Sequence, residues 1–353
     1  MSEPERVRSD AAGAGRRRPI LSVLDLSPVG AGSTAGDALA ASTELARLVE
    51  RLGYHRLWVA EHHNMPGIAS SSPPVLVAHL AASTETIRVG AGGVMLPNHP
   101  ALVVAEQFGM LEALHPGRID LGIGRAPGTD AHTAAALRRT EEGLGAEEFP
   151  QQLADLFAYF EGRHGHITAV PAPGFGPAIW LLGSSDYSAQ VAGRLGLPFS
   201  FAHHFASQNT DAALAVYRRA FEPSPERDAP YSSIGVGVVC ADDAERARWL
   251  AGPSALAFLK LRMGRPSVLP TPEEAAAYGY SDAERAFVED RISTMVVGDP
   301  DQVRAGLEEL AARTGVDELM VTTMVHGAED RLRSYELLAE VWERAPVAES
   351  PLA

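Results

Sequence analysis

The chain has 353 residues, enough for one large α/β barrel or two modest domains. Its 45 acidic residues outnumber the 30 basic ones, and the net charge of −15 argues against nucleic acid or an anionic membrane as partner. We therefore expect a small-molecule substrate. The single Cys240 excludes an intrachain disulfide and a cysteine-built zinc site, and the sequence shows no signal peptide and no membrane-spanning apolar run. These features predict a cytoplasmic protein.

Three segments differ in composition. Residues 1–18 are rich in Arg, Ala, Gly and Ser without apolar periodicity, which predicts a disordered tail. Residues 19–345 are predicted to form a single domain, and residues 346–353 a frayed C-terminal tail.

Within the predicted domain, apolar strands alternate with amphipathic helices. The first strand, at residues 20–26, is followed by a Gly-rich loop and by a helix that Asp37 is expected to cap and Gly53 to end. Seven further strands are predicted at residues 57–60, 87–96, 119–124, 179–182, 199–202, 234–240 and 318–323. Strands separated by helices need right-handed parallel crossovers, and eight of them favour a closed TIM-type (β/α) barrel.

Two segments are too long to be simple connections and are predicted insertions, one after strand 4 and one after strand 7. The second contains a proline-rich stretch at residues 264–280, which is predicted to be a mobile lid. A dinucleotide fingerprint is absent, because Gly90, Gly92 and Gly93 lie within a predicted strand and do not open a helix.

Histidines follow two of the predicted strands, where barrel enzymes place reactive groups. Glu61, His62 and His63 end the second strand. Neighbouring side chains on a strand point to opposite faces, which disfavours a shared metal ion, although a metal-dependent hydrolase remains an alternative. We expect His62 and Glu61 to form the catalytic site, with Glu61 fixing loop or flavin geometry, and His63 to pack behind the strand. His203 and His204 could line a substrate pocket or have a structural role.

Glycines and polar residues mark two further places at the strand ends. Gly92 and Gly93 interrupt the third strand, which indicates either a flat ligand resting on the backbone or a plain β-bulge. Arg125 follows the fourth strand, and Ser184, Ser185 and Ser188 lie at the predicted start of the helix after the fifth strand. An arginine facing a serine-rich helix N-terminus on neighbouring strands favours a phosphorylated ligand.

Several motifs occur in an order that resembles the bacterial luciferase-like flavin-dependent monooxygenases. They are LWVAEHH at 57–63, TETIRVG at 84–90, LPNHP at 96–100 and GIGR at 122–125. The resemblance implies a barrel that binds reduced FMN from a separate flavin reductase. The flavin would react with molecular oxygen to a C4a-peroxide that oxidises a small organic substrate. A homodimer is also implied.

The resemblance implies roles for individual residues. His62 matches the active-site histidine, Gly92 and Gly93 match a non-prolyl cis peptide beneath the flavin ring, and Glu106 matches a helix acid of the family. The residues that match the phosphate clamp are Arg125, Ser184 and one of Ser185 and Ser188, with backbone groups near Gly183.

The chain also departs from the light-emitting members. Gly124 stands in place of a reactive cysteine, Gly183 in place of a glutamate and Gly92–Gly93 in place of an Ala-Ala pair. These departures argue against luminescence and an aldehyde substrate. The main alternative is a deazaflavin-dependent hydride-transfer enzyme on the same barrel, and a non-catalytic flavin-binding subunit is disfavoured by the presence of His62 and Arg125.

Overall fold

A computed structural model describes residues 18–126, 128–137 and 148–342. The expected tails therefore lie outside the described residues, except for Arg18. Its guanidinium donates to the backbone carbonyl of Trp342 at 3.2 Å and stacks over that indole at 5.6 Å. No helix in these three ranges is long and apolar enough to cross a membrane.

The strands of the described residues form one parallel sheet that closes on itself. They are β1 (Ile20–Asp25), β2 (Arg56–Val59), β3 (Arg88–Met95), β4 (Ile119–Gly124), β5 (Ala178–Gly183), β6 (Phe199–Phe201), β7 (Ser232–Cys240), β8 (Val296–Gly298) and β9 (Glu318–Thr322). Strands β1 to β6 pair in chain order, β6 pairs with β7, β7 with β9, and β9 with β1. The predicted eight-stranded TIM-type barrel is confirmed. The additional strand β8 pairs only with the end of β7 and lies outside the barrel.

Helices surround the barrel and fill the two insertions. They are α1 (Ala35–Arg51), α2 (Pro73–Ala82), α3 (Ala101–Leu114), α4 (Ala131–Ala136), α5 (Phe149–Phe160), α6 (Asp186–Arg194), α7 (His203–Ala206), α8 (Thr210–Ala220), α9 (Ala244–Arg262), α10 (Pro272–Ala277), α11 (Asp282–Ser293), α12 (Pro300–Thr314) and α13 (Ala328–Val341). Helices α4 and α5 belong to the insertion after β4, and α9 to α11 to the insertion after β7.

Helix α1 begins earlier than the sequence predicts. Its N-cap is Thr34, whose side chain accepts from the backbone N–H of Asp37 at 3.1 Å. The Asp37 carboxylate in turn accepts from the backbone N–H of Thr34 at 2.9 Å. The prediction that Asp37 is the cap was wrong, because this carboxylate occupies the third helical position of a capping box.

The segment 264–280 is attached to the loops after β1 and β2. Leu269 is 2% exposed and forms a parallel bridge with Gly30 of the loop after β1. A Cβ on Gly67 would lie 2.6 Å from the carbonyl oxygen of Ser267, so a third loop packs closely against the same segment. The segment also contains α10, which the sequence did not predict. Its movement as a lid stays a prediction.

The two faces of the strands differ in composition. Outward side chains such as Val89, Leu121 and Val236 join the large core between the barrel and the helices. Inward positions of the barrel carry a separate cluster of Leu24, Trp58, Trp180, Tyr231 and Met320. The barrel interior is therefore a packed core, and a ligand has room only above it, at the C-terminal ends of the strands. We call this rim the mouth.

The opposite, N-terminal end of the barrel is closed by buried ions. Arg56 is fully buried and donates from Nη1 to Asp120 at 2.7 Å and from Nε to Glu318 at 2.8 Å. Asp120 also accepts from Arg88 at 2.6 Å and from the indole N–H of Trp58 at 2.9 Å. We call this set the closed-end network. Its charges are paired, which is the condition for holding ions out of water.

Candidate active site at the barrel mouth

Glu61 joins the loop after β2 to the end of β3. Its fully buried carboxylate accepts from the backbone N–H of Met95 at 2.9 Å and from Nδ2 of Asn98 at 2.8 Å. Imidazole Nε2 atoms of His63 and His99 approach the same carboxylate at 2.9 and 3.0 Å. Glu61 therefore holds two strand ends in register at the mouth.

The pKa of Glu61 follows from these contacts. Burial by itself would raise this pKa, but hydrogen bonds from His99, His63 and Asn98, together with the charge of His99, lower it below its ordinary value. The carboxylate is ionised at neutral pH and acts as a hydrogen-bond acceptor. His63, expected to pack behind the strand, is instead one of its partners.

His62 is held at the mouth by its backbone and one ring nitrogen. Its backbone N–H donates to the carbonyl of Ser70 at 3.1 Å, and its Nδ1 lies 3.5 Å from the carbonyl oxygen of Gly128. This long contact favours the tautomer with the proton on Nδ1, which leaves Nε2 as an acceptor. Burial lowers the pKa of His62, so the ring is neutral at neutral pH.

The Gly92–Gly93 peptide is cis, and a bulge interrupts the pairing of β3 with β4 between Gly92 and Val94. Both glycines are also required by packing. A Cβ at Gly92 would lie 2.7 Å from the Trp58 ring, and a Cβ at Gly93 would lie 2.6 Å from the carbonyl oxygen of Gly122. The bulge is thus part of the barrel itself, and a flat ligand above it remains a prediction.

Arg125 and the start of α6 come together as the sequence predicts, because β4 and β5 are neighbours. The Arg125 guanidinium lies 4.2 Å from the ring centre of Tyr187, in the first turn of α6. Ser185 is the N-cap but makes no side-chain hydrogen bond to the helix, and it is exposed together with Ser184. The side chain of Arg125 has no hydrogen bond or ion pair within the described ranges. An arginine and a helix start with uncapped N–H groups fit an anionic group such as phosphate.

Ser188 and Gly183, which are also predicted to bind the cofactor, contact each other at the start of α6. Ser188 is 6% exposed, and its Oγ would lie 2.7 Å from a Cβ built on Gly183. Because Gly183 has no side chain, Ser188 has room in the first turn of α6. Glu106 lies on α3, where burial, Asp155 and then Glu106 raise the pKa of Tyr159 on α5, and its contact with a cofactor stays a prediction.

The structure separates the two histidines after β6. His203 is buried, with Nδ1 2.7 Å from Oγ1 of Thr210, so its role is structural. The His204 ring lies over Gly235, where a Cβ would be 2.4 Å from Nδ1. Nδ1 makes no hydrogen bond of good geometry within the described part of the chain. Burial, above all, lowers the pKa of His204 to about 4, with smaller contributions that include the charge of His62.

Sequence reasoning missed several residues at the mouth. Asn98 and His99 lie within the LPNHP motif at 96–100, but nothing in the sequence indicates that their side chains contact Glu61. Tyr187 and Arg291 reach the mouth only through the fold, and no local pattern marks them. Among the described residues, no group of three or more His, Cys, Asp or Glu side chains has the arrangement of a metal site.

The fold and the mouth define a TIM-type barrel with candidate groups for an anionic, flat ligand at the strand ends. Residues 21–318 match the model of the luciferase-like monooxygenase family, and the chain belongs to that family. A luciferase-like monooxygenase of Escherichia coli (strain K12) is 47% identical over 324 residues, which is 91% of this chain and 96% of that protein. The N-acetyl-S-alkylcysteine monooxygenase of Bacillus subtilis (strain 168) is 35% identical over 328 residues, covering 91% of this chain and 97% of that protein.

Solved structures give the same picture. The crystal structure of apo-MsnO8 is 42% identical, with a TM-score of 0.86, and the match covers 93% of this chain and all of that one. A type II Baeyer-Villiger monooxygenase from Pseudomonas putida in complex with FMN has a TM-score of 0.67 at 20% identity, covering 91% of this chain and 97% of that one. An F420-dependent secondary alcohol dehydrogenase has the same TM-score at 12% identity, covering 93% and 100%. These last two likenesses concern the fold alone.

Proposed function

We propose that this protein is a two-component flavin monooxygenase. It would take reduced FMN from a separate reductase in the cytoplasm and use molecular oxygen to oxidise a small organic substrate. Membership of the luciferase-like family supports the reaction class. The observation that carries the choice of a phosphorylated flavin is Arg125 beside the uncapped start of α6, with neither an acid nor a side-chain cap to occupy them within the described residues.

The residues at the mouth fit such a cofactor. Arg125, the serines and the N–H groups of α6 would hold the phosphate, and the glycine surface of β3 would support the ring system. Bound reduced flavin supplies the electrons that activate oxygen. The chain itself has to orient the ring, keep water out and control one proton.

His62 is the group we assign to proton control. Its ring is neutral, its Nδ1 faces the Gly128 carbonyl, and its Nε2 is left to accept or hold a proton at the reacting centre. Glu61 does not take part directly in this proposal. It positions the loop of His62 against the end of β3 through its bonds to Met95 and Asn98.

The first experiment mixes purified protein anaerobically with photoreduced FMN, admits oxygen, and follows the absorbance spectrum and the release of hydrogen peroxide. We expect the wild type to bind reduced FMN and to reoxidise it in a phase distinct from that of free flavin. His62→Ala should still bind FMN but release hydrogen peroxide faster. His166→Ala, a change at an exposed histidine of the first insertion, is the matched control.

Reoxidation at the rate of free flavin, with no binding of reduced FMN, would contradict the proposal. The deazaflavin alternative would then be tested by fluorescence titration with F420. Equal behaviour of His62→Ala and wild type would remove His62 from the proposed role while leaving the cofactor assignment intact.

We also propose that the protein is a homodimer that associates through α2 and α3. Val103, Met110 and Leu114 lie on one face of α3 and are 39, 54 and 66% exposed, and Val75 on the neighbouring α2 is 70% exposed. Exposed large apolar side chains on two neighbouring helices support an interface there. Light scattering should give twice the chain mass for the wild type, and Met110→Glu should shift the protein towards the monomer. A monomeric wild type would contradict this.

A further inference from the structure

Arg291, a half-buried arginine beside the mouth near the end of α11, forms no ion pair with a carboxylate of the described residues. Arg291 donates from Nη1 to the backbone carbonyl of His204 at 2.6 Å and to Oγ1 of Thr294 at 3.3 Å. Its Nε and Nη2 make no hydrogen bond to any residue that the structure describes. Burial lowers the pKa of Arg291, and no neighbouring acid counters that effect. The side chain is still protonated at neutral pH.

Aromatic rings continue from this arginine along the rim. The Arg291 guanidinium lies 4.5 Å from the ring centre of Phe258, which is stacked with Phe287 at 6.0 Å. Phe258 also meets Phe205 edge-on at 6.0 Å, and Phe205, in the short helix α7 after β6, is 54% exposed. We call Phe205, Phe258 and Phe287 the aromatic wall. Phe205 is exposed and the other two rings are partly buried, and an aromatic surface of this kind fits the apolar body of a ligand.

The wall and the arginine are linked to the proposed reaction centre through His204. The backbone of His204 is held by Arg291, its ring packs against Phe205 at 5.3 Å, and the charges of Arg291 and His62 both act on its pKa. His204 is therefore a neighbour of both Arg291 and His62. A ligand anchored at Arg291 would extend along the wall towards His62.

We propose that Arg291 and the aromatic wall select a carboxylate-bearing substrate with an apolar body. The guanidinium fork binds the carboxylate, the wall covers the apolar part, and the group to be oxidised is presented near His62. An arginine that has lost part of its hydration and lacks an acid gains most from an anionic ligand. This assignment rests on the proposed function for the identity of the reaction, but its binding step can be measured without turnover.

The test compares two probes that differ only in charge, 4-phenylbutanoate and 4-phenylbutanamide. Titration calorimetry on the full chain, with and without FMN, should show the carboxylate binding about tenfold more tightly than the amide. Arg291→Gln should abolish that preference and leave the affinity for the amide within about twofold, and Arg291→Lys should keep part of it. Arg285→Gln, on an exposed arginine of the same helix, is the control and should change neither affinity.

Three results would overturn the assignment. Equal losses for both probes in Arg291→Gln would mean that Arg291 only holds the His204 backbone. Loss of the carboxylate preference in Arg125→Gln, with Arg291→Gln unchanged, would place the anion in the proposed phosphate corner. Failure of both probes to bind the wild type at millimolar concentration would reject the substrate class. None of these outcomes depends on whether reduced FMN reacts with oxygen, so the two proposals fail separately.

Discussion

Arg56 and Arg88 at the closed end of the barrel are paired with carboxylates, whereas Arg125 and Arg291 at the mouth are not. The contrast concerns these four side chains, because Arg331 donates to Asp25 at the end of β1 at 2.7 Å, and Arg227, in the loop before β7, lies over Tyr231 without an acid partner among the described residues. Arg56 lies between Asp120 and Glu318, and Arg88 binds the other oxygen of Asp120. At the mouth, Arg125 lies on Tyr187 and Arg291 on Phe258, and neither meets a carboxylate within the described residues. The charges of the closed-end network balance one another, whereas Arg125 and Arg291 at the mouth keep charge and hydrogen-bonding capacity for ligands. Unpaired, partly buried charge is costly for the fold, which makes it a guide to function.

The largest expected effect comes from breaking the closed-end network. Arg56→Ala leaves Asp120 and Glu318 buried without their shared cation, and we expect a loss of about 3–5 kcal/mol in the free energy of unfolding. Urea titration monitored by circular dichroism measures this loss. Arg285→Ala, at an exposed position, should stay within about 0.5 kcal/mol of the wild type. A cost below about 1 kcal/mol for Arg56→Ala would show that the network contributes little to stability.

A pH titration should separate His203 and His204 near the mouth from Asp120 at the closed end. His203 and His204 near the mouth have pKa values lowered to about 4, so between their ordinary value of 6.5 and about 4 the unfolded chain binds protons that the folded chain does not. Stability therefore falls as the pH drops through that window, by on the order of 2–3 kcal/mol for each histidine. At the closed end, Arg56 and Arg88 overcome burial and lower the pKa of Asp120 below its ordinary 3.8. The stability that ionised Asp120 contributes is lost only as the pH falls below that ordinary value.

Unfolding at several pH values checks this separation. His204→Gln should flatten the dependence between pH 6.5 and about 4 and leave the more acidic limb unchanged. His166→Gln is the control, because that side chain is exposed. An unchanged slope in His204→Gln would mean that its ring is not held neutral in the folded protein.

Substitution of Arg125, at the proposed phosphate site, should give a smaller effect that appears only in the binding of a phosphorylated ligand. Arg125→Ala should weaken FMN binding by about tenfold to a hundredfold, since a charge-assisted hydrogen bond to phosphate is lost. Riboflavin, which has no phosphate, should bind the variant and the wild type alike. Arg194→Ala, at the exposed far end of α6, serves as the control. Equal losses for FMN and riboflavin would place Arg125 away from the phosphate.

The sequence predicted the barrel because its strands have a regular local pattern of apolar runs between helices. Strand β8 and helix α10 were missed because they are only three and six residues long, too short to show a period. Glu61, His62 and Arg125 were placed at the mouth by a single rule, that parallel strands end on the same rim. His99 and Arg291 could not be placed in this way. Their positions depend on a turn after β3 and on a helix of the second insertion that returns to the rim.

Two glycines on the inner face of β4 allow the packing of the barrel interior and of the mouth to be compared by adding one methyl group at each. A Cβ at Gly122, inside the barrel, would lie 2.3 Å from the backbone carbonyl oxygen of Ala91. At Gly124, nearer the mouth, the contact would be 2.7 Å to Sδ of Met95, a flexible side chain. We expect Gly122→Ala to cost about 3 kcal/mol or more and Gly124→Ala about 1 kcal/mol or less.

Thermal unfolding of the two variants, compared at equal concentration, measures the difference. Gly124→Ala should also keep FMN binding, because Met95 can move without disturbing the Glu61 bond to its backbone N–H. Equal destabilisation of the two variants would show that the mouth is packed as rigidly as the interior. In that case the room that a methyl group at Gly124 needs would have to come from movement of strand β4 itself, and not from the Met95 side chain.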